Sequence, residues 1–303
     1  LHLDDARDQI AKALDPKGQP VQIAVPLPEG MLKAIVWRLD VGRVPLYMMD
    51  ANIPENNSEF RHITAQLYSG DRKMRLRQEL LLGIGGYKVL HALGYDPHVI
   101  HMNEGHAAFV SLPRLTHMIR NMGLDKKTAL QIVNRTSVFT THTPVPAGNE
   151  TFDIGLLKPH LEALRHELGL EPDEIISWGQ SGSGSGQLGH EISMTILGMH
   201  MARFSNGVSE LHGHVARHMW KGLWPEFPED EVPITHVTNG VHVSSWLSPD
   251  NVTLFDRYLG TDWREKAGDE ESLAHLMQIP DEELWRAHEL GRKLPPRRGE
   301  LPR

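Results

Sequence analysis

Four short polar clusters in this sequence carry residue types that could bind or transform a polar ligand. They are Asn103–His106, Thr140–Asn149, His212–Arg217 and Thr238–His242. Each combines amide, imidazole, hydroxyl or charged side chains with a glycine or proline turn residue. Taken alone, each is also explained as a capped turn, a histidine satisfied by backbone groups, or an ordinary Asn-Gly turn. Four such turns together favour a binding or catalytic site.

The elements that must position these clusters are short apolar segments that alternate with amphipathic ones. Strands are predicted at 98–102, 138–141, 207–209 and 234–238, and helices at 106–121, 125–135, 156–168, 192–204 and 211–220. This alternation is typical of an α/β fold with a doubly wound parallel sheet, which binds its ligand at the carboxyl ends of the strands. We therefore expect the four clusters to share one crevice.

The segments outside this alternation predict other structures. Extended segments at 21–25, 32–37 and 44–48 predict a small β-meander near the start, and helical spacing then runs from Arg72 to Leu93. The glycines at 83, 85 and 86 are interpreted as helix-packing positions because no strand precedes them, as a phosphate loop would need. Gly182–Gly186 predicts a flexible loop. Later helices are predicted at 249–259, 270–278 and 281–292.

Composition excludes several classes of function. There are 31 Lys and Arg against 39 Asp and Glu, a net charge of −8, which argues against nucleic-acid binding. The chain has no cysteine, so disulfides and thiolate zinc sites are ruled out and a reducing, cytoplasmic location is expected. No apolar run approaches the roughly 20 residues of a membrane helix. No membrane partner is predicted.

The 19 histidines raise the question of a metal site. His98, His101, Glu104 and His106 are closely spaced, and three more histidines lie at 212, 214 and 218. Neither group follows a His-Glu-x-x-His pattern, and alternate residues of a strand point to opposite faces of the sheet. We therefore predict no metal site.

Seven ordered motifs give the sequence a family resemblance. They are Trp37–Tyr47, Tyr68–Arg72, Arg75–Leu80, His101–Phe109, Phe139–Gly148, Asn206–Gly213 and Val237–His242. With these motifs the chain resembles the α-glucan phosphorylases that act on glycogen, starch or maltodextrin, and the shorter bacterial type is the most similar. The resemblance covers the chain from about Val21 to Arg292.

The resemblance implies a fold and an activity. Such enzymes have two Rossmann-like domains facing a cleft, the GT-B arrangement, and this chain is similar to the later part of the first domain, over residues 1–293. Residues 294–303 are expected to form an irregular, truncated tail, with the C-terminal cofactor domain absent. The implied reaction of this glycosyltransferase family in carbohydrate metabolism is phosphorolysis of the terminal α-1,4-linked glucose to glucose 1-phosphate.

The resemblance also implies a cofactor and partners. Pyridoxal phosphate is bound in the family to a lysine of the second domain, and none of the eleven lysines of this chain stands in that context. The chain alone is therefore expected to be inactive. The implied partners are an α-1,4-glucan and phosphate, and the oligomeric state is left open, a homo-oligomer of the longer enzyme included.

The resemblance assigns roles to individual residues. His142 matches the histidine near the sugar 6-hydroxyl and is the catalytic candidate, with its backbone carbonyl close to the developing positive charge. Asp71 ends a segment, from Tyr68, that resembles a shortened mobile loop over the site. The other substrate-binding candidates are Asn103, Glu104, His106, Thr143 and Asn239.

Two alternatives belong to other classes. A nucleotide-sugar glucan synthase with the same GT-B arrangement would need a Lys-x-Gly-Gly loop near its start, and the chain has none. A glucan-binding module without catalysis would normally show exposed aromatic platforms. Aromatic residues make up only 6% of the chain, and Trp37, Trp220 and Trp246 stand in apolar contexts.

Overall fold

The chain forms two compact units, Leu1–Thr238 and Asn239–Arg303. A computed structural model describes residues 10–66, 71–145, 149–180, 189–264, 266, 270 and 274–293. The predictions for Tyr68–Gly70, for Gly182–Gly186 and for the tail at 294–303 lie outside the described residues. None of the described helices is long and apolar enough to cross a membrane.

Ten strands make up three sheets. They are β1 Ile10–Lys12, β2 Gln22–Leu27, β3 Gly30–Val41, β4 Val44–Asp50, β5 Ile100–Asn103, β6 Ser137–Thr140, β7 Thr151–Asp153, β8 Glu191–Ser193, β9 Phe204–Gly207 and β10 Ile234–His236. Strands β1 to β4 form an antiparallel sheet around β3. The predicted meander is thereby confirmed. Facing residues such as Val25 and Leu32 are buried in the core.

The sheet that positions the polar clusters is parallel. Its order is β5, β6, β9, β10, so the four strands stand side by side in the order of the sequence. Helices connect them, because parallel neighbours need a crossover that returns the chain to the starting edge. The predicted α/β class with a parallel, Rossmann-like sheet is confirmed. Strands β7 and β8 form a separate antiparallel pair.

Twelve α-helices are present among the described residues. They are α1 Ser58–Arg61, α2 Arg72–Leu80, α3 Gly86–Ala92, α4 Ser111–Arg120, α5 Lys126–Arg135, α6 Ile154–Leu168, α7 Pro172–Trp178, α8 Met194–His200, α9 Glu210–Trp220, α10 Val243–Trp246, α11 Pro249–Leu259 and α12 Asp281–Lys293. A π-helix covers Leu81–Gly85, and short 3-10 helices cover Gly105–Val110, Lys221–Leu223, Glu229–Glu231 and His275–Gln278.

Several local predictions were wrong. The helix predicted at 192–204 covers only Met194–His200, because residues at its two ends belong to strands β8 and β9. The helix predicted from Arg72 to Leu93 is interrupted by the π-helix, and the one predicted at 106–121 begins as a 3-10 helix. The strand predicted at 207–209 ends at Gly207 instead. The reason is Ser209, whose side chain accepts from the backbone N of His212 and so begins helix α9.

Apolar packing is divided among three clusters. The largest joins the antiparallel sheet to helices α2 to α8, with Leu32, Phe109 and Leu157 among its fully buried members. A second cluster lies against the parallel sheet and includes Met102 and Phe139. The second unit has a small cluster of its own. The first unit therefore has most of the buried apolar surface, which is the dominant favourable contribution to folding.

Candidate functional site

The carboxyl ends of three parallel strands lie side by side at the centre of the candidate site. The backbone N of Glu104, just after β5, donates to the carbonyl of Thr140 at 2.9 Å. The N of Thr141, just after β6, donates to the carbonyl of Asn206 at 3.0 Å. The first two polar clusters therefore adjoin each other, as the sequence predicts, and β9 brings Asn206 beside them.

Glu104 has an unusual backbone. Its φ of 68° and ψ of 170° lie in a region that is essentially restricted to glycine, and it is the one non-glycine residue with positive φ among the described residues. Such a conformation costs about 1 to 3 kcal/mol. The following residue has no room for a side chain, since a Cβ on Gly105 would lie 2.8 Å from the backbone N of Thr195. Packing against the start of α8 thus fixes this turn.

The strained turn directs the Glu104 carboxylate into the neighbouring loop. Its Oε1 accepts from the backbone N of His142 and, at 3.2 Å, from Oγ1 of Thr143. Hydrogen bonds to a charged acceptor are roughly twice as strong as neutral ones. The carboxylate therefore holds the loop after β6 against the end of β5.

His142 and Asn103 contact each other across the two strand ends. The imidazole Nε2 of His142 pairs with Oδ1 of Asn103, and both side chains are exposed. Because Oδ1 can only accept, Nε2 carries the proton in this pair. The Nδ1 of the neutral ring is then an acceptor, so it can receive a hydrogen bond from a hydroxyl group.

His212 anchors the same loop from the other side. The backbone N of Val208 donates to its Nδ1 at 3.1 Å, so the ring proton is on Nε2. That nitrogen lies 3.3 Å from the carbonyl of Thr143 and donates to it. The third polar cluster thus supports the site through a buried histidine, in helix α9, that binds backbone groups.

A hydrogen-bonded chain of three side chains crosses the parallel sheet below the loop. Oγ1 of Thr140 donates to Oδ1 of Asn206 at 2.9 Å and lies 2.7 Å from Nε2 of His101, from which it accepts. Thr140 and Asn206 are both buried. Satisfied buried networks of this kind rigidify the elements that they join.

His106 lies beside a group of charged residues at the edge of a cavity of about 420 Å³. Burial lowers the pKa of His106, and the charges of Glu104, Arg75, Glu150 and His142 act on it more weakly. The effect of these four charges on the pKa of His106 indicates that the four side chains lie close to it. A neutral imidazole is the expected form at neutral pH.

Arg75 bridges two carboxylates in that group. One of its terminal nitrogens lies 3.0 Å from Glu79 and 3.1 Å from Glu150. Burial raises the pKa of Glu79 to about 8, and the opposing charge of Arg75 is partly offset by Glu150. Sequence reasoning did not single out Glu79 or Glu150, because only the fold brings position 150 to helix α2.

Two of the predicted site residues are not joined to this group. The Asp71 side chain caps helix α2 by accepting from the backbone N of Lys73 at 3.0 Å, and most of the loop that it ends lies outside the described residues. Asn239 is the first residue of the second unit. Their roles in ligand binding remain predictions.

A parallel α/β sheet with acidic, amide and imidazole side chains at its strand ends defines a Rossmann-like ligand-binding domain. No family model matches this chain. Among characterised proteins, a maltodextrin phosphorylase from Thermococcus litoralis is 41% identical over 272 residues, which cover 90% of this chain and 32% of the relative. A glycogen phosphorylase from Mycobacterium tuberculosis is 40% identical over 260 residues, which cover 82% of this chain and 30% of the relative.

A third relative agrees with the first two. A glycogen phosphorylase from Aquifex aeolicus is 33% identical over 290 residues, which cover 94% of this chain and 41% of the relative. The resemblance to the α-glucan phosphorylases is thereby confirmed over most of this chain. The chain spans less than half the length of each of these relatives.

Proposed function

We propose that this chain forms the glucosyl-binding part of an α-glucan phosphorylase, which transfers the terminal α-1,4-linked glucose of glycogen or maltodextrin to inorganic phosphate. The observation that carries the proposal is the turn at Glu104, where a residue in a glycine-only conformation binds the backbone of His142. The relatives named phosphorylase support it. The cysteine-free composition supports a cytoplasmic location.

The proposed roles follow from the geometry of the loop. The free Nδ1 of His142 accepts a hydrogen bond from a sugar hydroxyl, while Asn103 holds the ring. The transition state of glucosyl transfer resembles an oxocarbenium ion, which backbone carbonyl dipoles and tightening hydroxyl hydrogen bonds stabilise. The carbonyl of His142 supplies such a dipole because Glu104 fixes the adjoining peptide group. Thr143, His106, Asn239 and Asp71 are the further substrate-binding residues of the proposal.

Pyridoxal phosphate does not fit the part of the chain that the structure describes. A Schiff-base lysine is activated by desolvation or by a neighbouring cation. Among the described residues no lysine side chain is buried. Lys88, for example, donates to the carbonyl of Ala24 at 2.6 Å and pairs with Glu167 at 2.7 Å. We therefore derive no step through this cofactor, and its site in the proposed enzyme belongs to other segments.

The experiment is an assay of the complete gene product with maltodextrin, pyridoxal phosphate and inorganic phosphate. We expect release of glucose 1-phosphate, and a loss of about 10²- to 10³-fold in kcat/KM in a His142→Ala variant. A His166→Ala variant is the matched control, because His166 is also exposed but lies on helix α6. Both variants should keep the melting temperature of the wild type.

Two outcomes contradict the proposal. Incorporation of glucose from a nucleotide sugar, with no phosphorolysis, would indicate a glucan synthase instead. Binding of maltodextrin by the complete gene product without any turnover would indicate a glucan-binding module. Normal phosphorolysis by the folded His142→Ala variant would remove His142 from the mechanism while leaving the reaction class intact.

A further inference from the structure

Three side chains that can bind a metal ion meet away from the candidate site. His91, Asp96 and His117 each place one ligand atom so that the three atoms lie within 4.8 Å of one another. They form the one group of three or more His, Asp or Glu side chains with such spacing in the part of the chain that the structure describes. None of the three belongs to the histidine groups that the sequence singled out.

The backbone holds this group in place. His91 lies near the end of helix α3, and the chain then reverses at Gly94, whose φ is 82°. The N of Gly94 donates to the carbonyl of His91 at 2.9 Å, and the N of Tyr95 donates to the carbonyl of Leu90 at 2.9 Å. This helix-ending turn returns Asp96 towards His91. His117 reaches the same point from helix α4.

The two histidine rings are packed, and the three side chains have no hydrogen-bond partner among the described residues. The rings of His91 and His117 lie 4.6 Å apart between centroids, and Tyr87 packs edge-on against His91, also at 4.6 Å. Nε2 of His91 is buried and has no partner among the described residues. The side chains of Asp96, which is exposed, and of His117, which is half-buried, likewise make no hydrogen bond to the described part of the chain. A buried nitrogen such as Nε2 of His91 is normally paired.

A neighbouring cation, Arg114, does not pair with Asp96. Arg114 is close enough for its charge to interact with that of Asp96, but its guanidinium already donates to oxygens at the starts of two strands. It donates to the carbonyls of His98 and Thr136 and to the hydroxyls of Thr136 and Ser137, at 2.8 to 3.1 Å. The Arg114 guanidinium therefore binds backbone and hydroxyl oxygens, and the Asp96 carboxylate is free to bind a cation.

We propose that His91, Asp96 and His117 bind a divalent transition-metal ion of the Zn²⁺ class. Two imidazoles and one carboxylate are ligands that suit Zn²⁺, Co²⁺ or Ni²⁺, whereas Mg²⁺ and Ca²⁺ prefer oxygen ligands. Metal bonds of about 2.0 to 2.2 Å require the ligand atoms to approach to roughly 3.3 Å, which small side-chain rotations supply. The ion joins the end of α3 to α4. Asp96 precedes β5 whereas Glu104 follows it, so the ion site is separate in sequence from the candidate site.

The test is metal titration of the chelator-treated chain, followed by calorimetry with Zn²⁺ and by visible absorption with Co²⁺. We expect one tight equivalent of Zn²⁺, the intense bands of low-coordinate Co²⁺, no comparable binding of Mg²⁺, and a rise in Tm with Zn²⁺. His91→Ala and His117→Ala should each weaken Zn²⁺ binding by at least about 100-fold, since even outer-shell changes cost about 10- to 100-fold. His98→Ala is the matched control, an exposed histidine close in sequence, and should bind as the wild type does.

Asp96→Asn keeps the test independent of folding, because the Asp96 side chain is exposed and makes no structural hydrogen bond. Circular dichroism checks the fold of every variant. Weaker Zn²⁺ binding and a smaller Tm shift in Asp96→Asn support the proposal. An equal affinity and Tm shift in Asp96→Asn and the wild type, or no stoichiometric binding by the wild type, would overturn it.

Discussion

Glu104 combines a strained backbone with hydrogen bonds from three successive residues of the neighbouring loop, Thr141, His142 and Thr143. Replacing it by glycine should remove about 1 to 3 kcal/mol of strain. The same change removes the contacts to His142 and Thr143, which contribute about 1.5 to 3 kcal/mol each at a charged group. We therefore expect Glu104→Gly to lose at most about 5 kcal/mol of stability while kcat/KM falls by at least about 100-fold, measured by urea unfolding and by phosphorolysis.

Glu104→Gln is the matched control for this prediction. It keeps the strain and the size of the side chain, but it replaces a charged acceptor by a neutral one. It should therefore be less stable than the wild type by about 1 kcal/mol or more. Wild-type activity in Glu104→Gly would show that the carboxylate has no part in the reaction.

At this scale the sequence predicted that the first two polar clusters lie together, but it did not predict the contacts that support them. The Asn103–His106 and Thr140–Asn149 clusters stand at strand ends, and a parallel sheet brings such ends together. The conformation of Glu104 could not be foreseen, because it depends on the close approach of Thr195 to Gly105. Arg75 and Glu150 meet only through contacts between distant parts of the chain.

The π-helix at Leu81–Gly85 is an element that supports the site from behind. A Cβ on Gly83 would lie 2.6 Å from Cβ of Phe109 and 2.7 Å from the backbone N of Val110, in the 3-10 helix that follows Glu104. The Gly83→Ala variant should therefore push these helices apart. We expect a loss of about 1 to 3 kcal/mol in the free energy of unfolding, measured by urea denaturation.

Gly86→Ala is the matched control for the π-helix. A Cβ there would meet nothing closer than a Met49 atom at 4.0 Å, and alanine has the higher helix propensity by up to about 1 kcal/mol. This variant should be as stable as the wild type or more stable. Equal stability of the two alanine variants would contradict the close packing of Gly83.

Helix α2 contains a pH-sensitive group, Glu79. The unfolded chain releases the Glu79 proton near pH 4.5. In the folded state burial raises the pKa of Glu79 to about 8, so the proton stays bound up to about that pH. Between pH 4.5 and 8 the folded state therefore binds one proton more than the unfolded chain. The stability that this proton contributes is complete below pH 4.5 and is lost as the pH rises through 8. The loss amounts to at most roughly 4 to 5 kcal/mol.

Glu79→Gln should remove this pH dependence. Urea unfolding at several pH values from 5 to 8 would show a free energy that falls more steeply in the wild type than in the variant. Glu162→Gln, on the exposed face of helix α6, should leave the wild-type slope unchanged. Parallel curves for the wild type and Glu79→Gln would mean that Glu79 is ionised in the folded protein throughout this range.

The elements themselves were predicted unevenly, for physical reasons. Strands β5, β6 and β10 follow from apolar runs, and helix α3 ends at Ala92, one residue before the predicted end of the helical spacing at Leu93. The π-helix adds one residue to a turn without changing the apolar pattern, so periodicity does not reveal it. The pairing of β7 with β8 joins segments almost 40 residues apart and has no local signal.

At the scale of the whole molecule, the candidate site residues are divided between the two units of the chain. The strand ends hold His142, Glu104 and Asn103 in the first unit, and Asn239 begins the second unit. The relatives are two to three times longer than the part that this chain matches. Ordered motifs identified the family, since seven of them in sequence are specific even where each alone is weak.

The last prediction concerns the cofactor and the 303-residue chain alone. A lysine that forms a Schiff base with pyridoxal phosphate needs a lowered pKa, which burial or a nearby cation produces. The described lysines are instead exposed or partly exposed. Lys126 and Lys158 pair with Glu174 and Asp173, and the hydrogen bond to Asp173 raises the pKa of Lys158. Incubation with pyridoxal phosphate followed by borohydride reduction should therefore give only low, scattered labelling, read by mass spectrometry. Stoichiometric labelling of one lysine, together with release of glucose 1-phosphate from maltodextrin, would show that the cofactor site lies within this chain.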